Sequence, residues 1–302
     1  PKHWIAQLED ETKDDPTFKF WHIPTEENSH NLEHGYIDRL KAALRKNPAM
    51  YRRMVLGEYA EAFDGVPVYY AYDQDQHVFE DLSWPKGAYL VRSWDFGTSW
   101  AVIYSAYFST GGQEYWWVLK EQFEEGSDID RQCRGVLKCT ALNFPFWNDR
   151  TICQGVLDYC DPAGKAKTAL GSVLTTLGTY GIYPGFRTKK RGIGPTVAVC
   201  NRLMESRDAN GNLIFRLDRI HAPMLHDGFI GGYRYPKEGE AGYKYGKDSD
   251  PVKDGKYDHL CDAWRYGVIN VMRLAKMDVE QSNPVSGPLA RKINLNPPRR
   301  DY

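Results

Sequence analysis

The sequence predicts an α/β fold built on a mixed β-sheet, and three observations carry that reading. First, two long β-prone runs, 89–96 and 100–109, are joined by the tight Gly97-Thr98-Ser99 link. A third run, 114–123, follows Gly111-Gly112, so the middle of the chain reads as an antiparallel meander. Second, the apolar spacing then becomes helical, with Ile129, Cys133, Val136 and Leu137 on one side of a helix over 128–142. Third, strand-like and helical stretches alternate beyond that point, which is the mark of a βαβ crossover.

In chain order, 17–24 reads as a strand stopped by Pro24, followed by a polar loop. Two short helices follow at 36–46 and 48–57, with Ile37, Leu40 and Leu44 at helical spacing. A short extended piece covers 65–70 and a turn 84–87. After the meander and its helix come a fourth strand at 151–160, a helix at 165–180, a short fifth strand at 181–186 and a helix at 193–206. Asn210-Gly211 predicts the turn of an added β-hairpin. Residues 224–233 read as helical, 239–254 as a charged Gly-rich loop, and 257–277 as the last helix. The stretch 282–302 holds four prolines and few apolar residues, so it reads as a flexible tail. A meander feeding a βαβ crossover is the order of a ribonuclease H-like sheet of five strands flanked by helices.

The bulk properties exclude several classes. At 302 residues, 42% of them hydrophobic, the chain can bury a substantial core. A net charge of −1 means that any contact with nucleic acid has to come from local clusters. The clearest is Arg187, Lys189, Lys190 and Arg191; such a run is equally a solvated loop. The six cysteines show no Cys-x-x-Cys pair and read as reduced thiols of a cytosolic protein. No apolar run is long enough for a transmembrane helix. The start, PKHWIAQLEDETKDD, has neither a signal-peptide pattern nor an initiating Met, so the chain reads as a fragment or a processed product.

Three acidic residues from distant segments stand out. Asp95 ends an apolar strand before Phe96-Gly97; on its own it is as readily a cap for the turn. Asp161 closes ICQGVLDYCDPAG, where Pro162 should end the strand, and it could also cap the next helix. Asp158 lies inside that strand and should point to the other face, so Asp161 is preferred. Asp262 lies one helical turn after Asp258 and three residues after His259, which places all three on one helix face. Carboxylates gathered in this way need a counter-charge, and an all-oxygen cluster suits Mg²⁺ or Mn²⁺. His259 is a candidate ligand or proton-transfer group. Lys253 and Lys256 precede this helix and could neutralise a phosphate.

Other motif matches fail on context. Asp95-Phe96-Gly97 spells a kinase metal motif, but no His-Arg-Asp loop or Gly-rich phosphate loop precedes it. His30-Asn-Leu-Glu-His34 fits an inverted zinc-protease pattern, but it sits in a polar loop rather than on a helix. There is no Walker A loop in this chain.

Taken in order, the motifs resemble the nuclease half of the large terminase subunit of tailed bacteriophages. FWHIPTEENSHNLEHGYIDRL and YRRMVLGEYAEAFDGVPVYYAYD resemble the segment joining that family's ATPase to its nuclease. VRSWDFGTSWAVI resembles the first nuclease strand, VLDYCDPAGKAK the second acidic motif, and GNLIFRLDRIHAPMLHDGFIGGYRYP with PVKDGKYDHLCDAWRYGV the closing section. The resemblance implies a ribonuclease H-like endonuclease that cuts concatemeric double-stranded viral DNA with two Mg²⁺ or Mn²⁺ ions. It implies Asp95, Asp161 and Asp262 as metal ligands, with His259 matching a His of some members. Asp95 is the best candidate to bridge both ions, with Asp161 and Asp262 completing either side. It divides the chain into a linking segment 1–83, a nuclease domain 84–278 and a tail 279–302. The portal protein, the small terminase subunit and the ATPase of a parent chain are the implied partners, in the host cytoplasm during virion assembly. Two rival readings stay open: another nuclease of this fold, such as a junction resolvase or transposase, and a non-catalytic module docking on the portal or the ATPase.

Overall fold

The computed structural model describes residues 8–9, 11–13, 15–44, 51, 54–57, 65–97, 99–126, 128–161, 170–186, 192–244 and 249–272. A 3-10 turn at Thr25–Asn31 leads to helix α1 (Tyr36–Leu44). Helix α2 (Gln74–His77) and strand β1 (Val78–Phe79) precede the meander β2 (Ala88–Asp95), β3 (Ser99–Thr110) and β4 (Gln113–Glu125). Then come α3 (Ile129–Asn143), β5 (Cys153–Tyr159), α4 (Leu170–Thr179), α5 (Ile193–Glu205), β6 (Phe215–Asp218), α6 (Pro223–Asp227) and α7 (Tyr257–Val271).

The strands form one mixed sheet in the order β1-β6-β4-β3-β2-β5. Only β3 runs against the others. The carboxyl ends of β2, β5, β4, β6 and β1 therefore share one edge. Within this sheet, the meander followed by β5 pairing parallel to β2 is the ribonuclease H-like arrangement. Helices α3 and α4 cover one face, where Leu90, Trp94, Trp100 and Tyr104 are buried. Helices α5 and α7 cover the other, with Tyr69, Phe215, Phe229 and Trp264 at its centre. The Trp264 ring lies 4.7 Å from Phe229 and 5.2 Å from Tyr69, both edge-on. Each such aromatic pair adds about 1 kcal/mol beyond the area it buries.

Local chemistry explains the element ends. Asp128 caps α3 by accepting from the Arg131 N–H at 2.7 Å. Helix α7 has no side-chain cap at Lys256; the carboxylate of Asp254 takes the Lys256 and Asp258 N–H groups instead. Residues 65–82 belong to the body of the sheet: Val68, Tyr69 and Tyr72 are in its core and β1 pairs with β6. Among the described residues no helix is long and apolar enough to cross a membrane, and all six cysteines are free thiols.

Several expectations need correction. Residues 17–23 form no strand; Phe18, Trp21 and Ile23 are exposed. The sheet has six strands rather than five, with β1 and β6 extending it past β4. The expected fifth strand is a single bridge, Tyr159 to Gly185; Pro184 has no N–H to extend a ladder. The expected hairpin is likewise one bridge, Arg207 to Leu213. There the Asp208 carboxylate takes the Asn210 and Asn212 N–H groups, a local alternative to strand pairing. Residues 223–232 split into α6 and a π-helical turn that ends with Gly231 at φ 144°. The second predicted helix (48–57) lies mostly outside the described residues, as does the tail.

Candidate metal centre at the carboxyl edge of the sheet

Asp95 is the last residue of β2, on the edge where the parallel strands end. Strand β5 runs beside it with Ser93 opposite Tyr159. Asp161 lies two residues past the end of β5; its charge and that of Asp95 both add to the burial that pushes the Cys160 thiol up. Asp161 is half-buried. Asp158 turns to the opposite face, as the two-residue period requires. Its carboxylate accepts from Arg92 Nε at 2.8 Å, Arg92 Nη2 at 2.7 Å and Trp94 Nε1 at 2.8 Å. That ion pair is nearly sealed from water, with side chains 6% and 8% exposed.

Helix α7 brings the third carboxylate across β2. The close approach depends on Gly267, where an added Cβ would come within 1.9 Å of Ser93 Oγ. His259 Nδ1 donates to Asp95 Oδ2 at 2.7 Å, in a space that Gly97 leaves open; a Cβ at Gly97 would lie 3.1 Å from the imidazole. Asp262 is fully engaged. Its Oδ1 accepts from Tyr233 Oη at 2.9 Å and Arg265 Nη2 at 2.6 Å, and its Oδ2 accepts from Lys253 Nζ at 2.5 Å. Lys253 also reaches Asp258 Oδ2 at 3.5 Å. Lys253, expected to face a phosphate, is thus held by two carboxylates of the site itself.

The electrostatics follow from these contacts. Burial raises the Asp95 carboxyl to about 6; the hydrogen bond from His259 opposes the rise and the charge of Asp262 adds to it. Burial would also raise Asp262, but Arg265 and Lys253 outweigh it and hold the group below its usual range. The hydrogen bond to Asp95 pushes His259 up. Burial, then the charges of Asp262, Asp95 and Asp161, push the Tyr266 phenol up. One buried hydroxyl therefore feels all three acids.

Donor atoms of three residues converge within 4.8 Å at Asp81, Asp218 and His221, and among the described residues nowhere else. Asp95, Asp161 and Asp262 are spread more widely than a single ion's shell. At the other cluster, the buried Asp218 already accepts the N–H groups of Leu82, Ile220 and His221, which makes it a clasp for two loops. The turn at 210–211 precedes β6 and so lies at the opposite edge of the sheet from Asp95. Arg187, Lys189, Lys190 and Arg191 lie outside the described residues. Tyr233 and Arg265 are site residues that the sequence reading missed; the three-residue spacing of Arg265 from Asp262 was a usable signal.

Asp95 thus ends β2, and Asp262 lies on a helix that crosses that strand, at the edge of a mixed α/β sheet where its parallel strands end. No family model matches the chain, and no curated protein matches it. Solved structures similar to it include those of phage large terminases. The large terminase of a thermophilic bacteriophage is 17% identical, with a TM-score of 0.49 over 89% of this chain and 59% of that one. The P22 large terminase nuclease domain is 15% identical, with a TM-score of 0.46 over 67% and 90% of the two chains. The nuclease domain of the g2p large terminase from bacteriophage SPP1, with bound Mn, is 15% identical, with a TM-score of 0.41 over 68% and 99%. The match spans about three fifths of the length of the thermophilic phage's protein.

Proposed function

We propose that this chain is the metal-dependent endonuclease part of a viral DNA-packaging terminase, which hydrolyses phosphodiester bonds of concatemeric double-stranded DNA. The observation that carries the reading is that the charges of Asp262, Asp95 and Asp161 all act on the buried Tyr266 hydroxyl, with Asp95 at the end of β2 and Asp262 on α7. The residues fit a divalent cation centre. The donors are hard oxygens, and Asp95 is held near 6 by burial with the charge of Asp262 behind it, so the group is short of positive charge.

When bound, a pair of Mg²⁺ or Mn²⁺ ions supplies an activated water and a counter-charge for the leaving 3′-oxygen. We take Asp95, which ends β2 and feels the charge of Asp262, as the carboxylate that two ions would share, with Asp161 and Asp262 each holding one. This division suits the spacing, because the outer acids need not meet at one ion. His259 orients Asp95 through Nδ1 and keeps Nε2 for an ion or a proton. Lys253 offsets the charge of Asp262 and Asp258 until a cation arrives. The basic run 187–191 is proposed to contact the DNA backbone. The ATPase of a parent chain, the portal protein and the small terminase subunit are the proposed partners, in the host cytoplasm.

The test is digestion of supercoiled plasmid with Mn²⁺, with Mg²⁺ and with chelator. Metal-dependent cutting that disappears in both Asp95→Asn and Asp161→Asn supports the reading. Cutting confined to four-way junctions points to a resolvase instead, and a folded, metal-free, inert protein to a docking module.

A further inference from the structure

We propose that Tyr233 and Arg265 set the ion selectivity of the centre by locking Oδ1 of Asp262, so that only Oδ2 can meet a metal ion. This rests on reading the acidic edge as a metal centre. Asp262 is 3% exposed, and its Oδ1 takes two hydrogen bonds, from Tyr233 Oη at 2.9 Å and Arg265 Nη2 at 2.6 Å. Those two donors fill the lone pairs of that oxygen. The other oxygen faces the half-exposed Lys253 ammonium, so Oδ2 is the one turned toward cations.

Neither donor is free to drift. Tyr233 is 1% exposed, with its ring packed 6.1 Å from that of Tyr69. Arg265 is 4% exposed, and its Nη1 donates to Thr196 Oγ1 at 2.9 Å. Thr196 in turn donates to the Ile193 carbonyl at 2.7 Å in the first turn of α5. The lock is therefore anchored to a second helix, through a charge-assisted bond that is among the stronger kinds.

The consequence is chemical. Mg²⁺ keeps octahedral geometry at about 2.0–2.1 Å and takes one oxygen per carboxylate, whereas Ca²⁺ fills a shell of roughly 6–8 oxygens at about 2.3–2.6 Å and often takes both. A carboxylate with one oxygen withheld denies Ca²⁺ a ligand and denies Mg²⁺ none. Tyr233 and Arg265 act through Asp262 and are positioning residues.

Tyr233→Phe keeps the ring and deletes the donor. Thr196→Val loosens Arg265 without touching Asp262. Each is titrated, metal-free, with Mg²⁺, Mn²⁺ and Ca²⁺ by calorimetry, beside thermal scans. In Tyr233→Phe the ratio of Ca²⁺ to Mg²⁺ affinity should rise at least about fivefold, the scale of one hydrogen bond's net worth. Thr196→Val should move the ratio the same way by less. A merely structural role would lower the melting temperature and leave the ratio alone. An unchanged ratio in both variants, with wild type binding Mg²⁺, overturns the lock and spares the metal centre. Wild type that binds no divalent ion removes the centre, and the lock with it.

Discussion

Asp95→Asn is the most informative single change, because the structure gives its sign. In the fold, burial and the charge of Asp262 move the Asp95 carboxyl from 3.8 to about 6. That rise makes the ionised form cost about 3 kcal/mol in the folded state at pH 7. The side chain is 14% exposed, so solvent does little to screen the effect. Between pH 3.8 and 6 the folded protein binds more protons than the unfolded one, so metal-free stability should fall as pH rises through that window. Asn carries no charge. Metal-free Asp95→Asn should therefore be more stable than wild type at pH 7, by up to about 3 kcal/mol less the weakened bond to His259, and should lose the advantage at pH 4. The His259 hydrogen bond gives a slope of the same sign in a higher window: its raised pKa contributes stability below the ordinary imidazole range that is lost as pH rises through the folded value. The same titration in a His259→Ala background separates the two. Ion binding adds a second readout. The ionised fraction of Asp95 rises about tenfold from pH 5 to pH 7, so Mn²⁺ affinity should rise by about 1.4 kcal/mol over that range in wild type. Equilibrium unfolding and calorimetry at four pH values measure both. Metal-free wild type with flat stability from pH 4 to 7, or an Asn variant weaker than wild type at pH 7, would refute the argument.

Four further outcomes are expected. Asp161→Asn should abolish cleavage with its melting temperature intact; cleavage close to wild type removes Asp161 from the site. Asp158→Asn strips the partner from buried Arg92 and should cost about 3–5 kcal/mol of stability in chemical unfolding, while the rate per folded molecule persists. His259→Ala should reduce Mn²⁺-driven cleavage at least about tenfold, or about 1.4 kcal/mol, and His259→Asp should restore it with a shift toward Mg²⁺; full Mn²⁺ activity in a stable Ala variant excludes the imidazole. Replacing Lys189 and Lys190 by Ala should weaken DNA binding on all sequences alike and flatten its salt dependence; an unchanged salt slope makes the run a solvated loop.

The order of the central elements was legible because it is local. Glycine links fix the meander, and the change of apolar period marks α3. The separation of Asp158 from Asp161 was legible for the same reason, since a two-residue period needs no knowledge of partners. What failed was non-local. The run 17–24 has the composition of a strand but pairs with none among the described residues. The two-residue β1 exists only because β6 lies beside it, and β6 only because it pairs with β4. Composition cannot supply a partner.

The same limit applies inside the site, and there it separates the acids from the residues that control them. Asp95 and Asp161 announce themselves because a carboxylate ending an apolar run is unusual wherever it occurs, and Asp262 because it shares a helix face with Asp258 and His259. Their controllers do not. Lys253 looks like any surface lysine until it is found on Oδ2 of Asp262. Arg265 stood at helical spacing from Asp262, but that spacing describes most exposed helix pairs as well, and only 4% exposure makes this one different. Tyr233 follows a π-helical turn broken at Gly231, which has no periodic signature at all. Yet these three decide what Asp262 can do. Without Arg265 and Lys253, burial would push the carboxyl up as it does Asp95, and the centre would hold two reluctant anions instead of one committed and one adjustable. In the proposed centre, a carboxylate held below its usual range would anchor a cation, and its neighbour near 6 would make loading sensitive to pH. An Arg265→Gln variant exposes the difference. Asp262 should then titrate upward, and Mn²⁺ binding at pH 6 should weaken far more than at pH 8; equal weakening at both would mean that Arg265 only supports the fold.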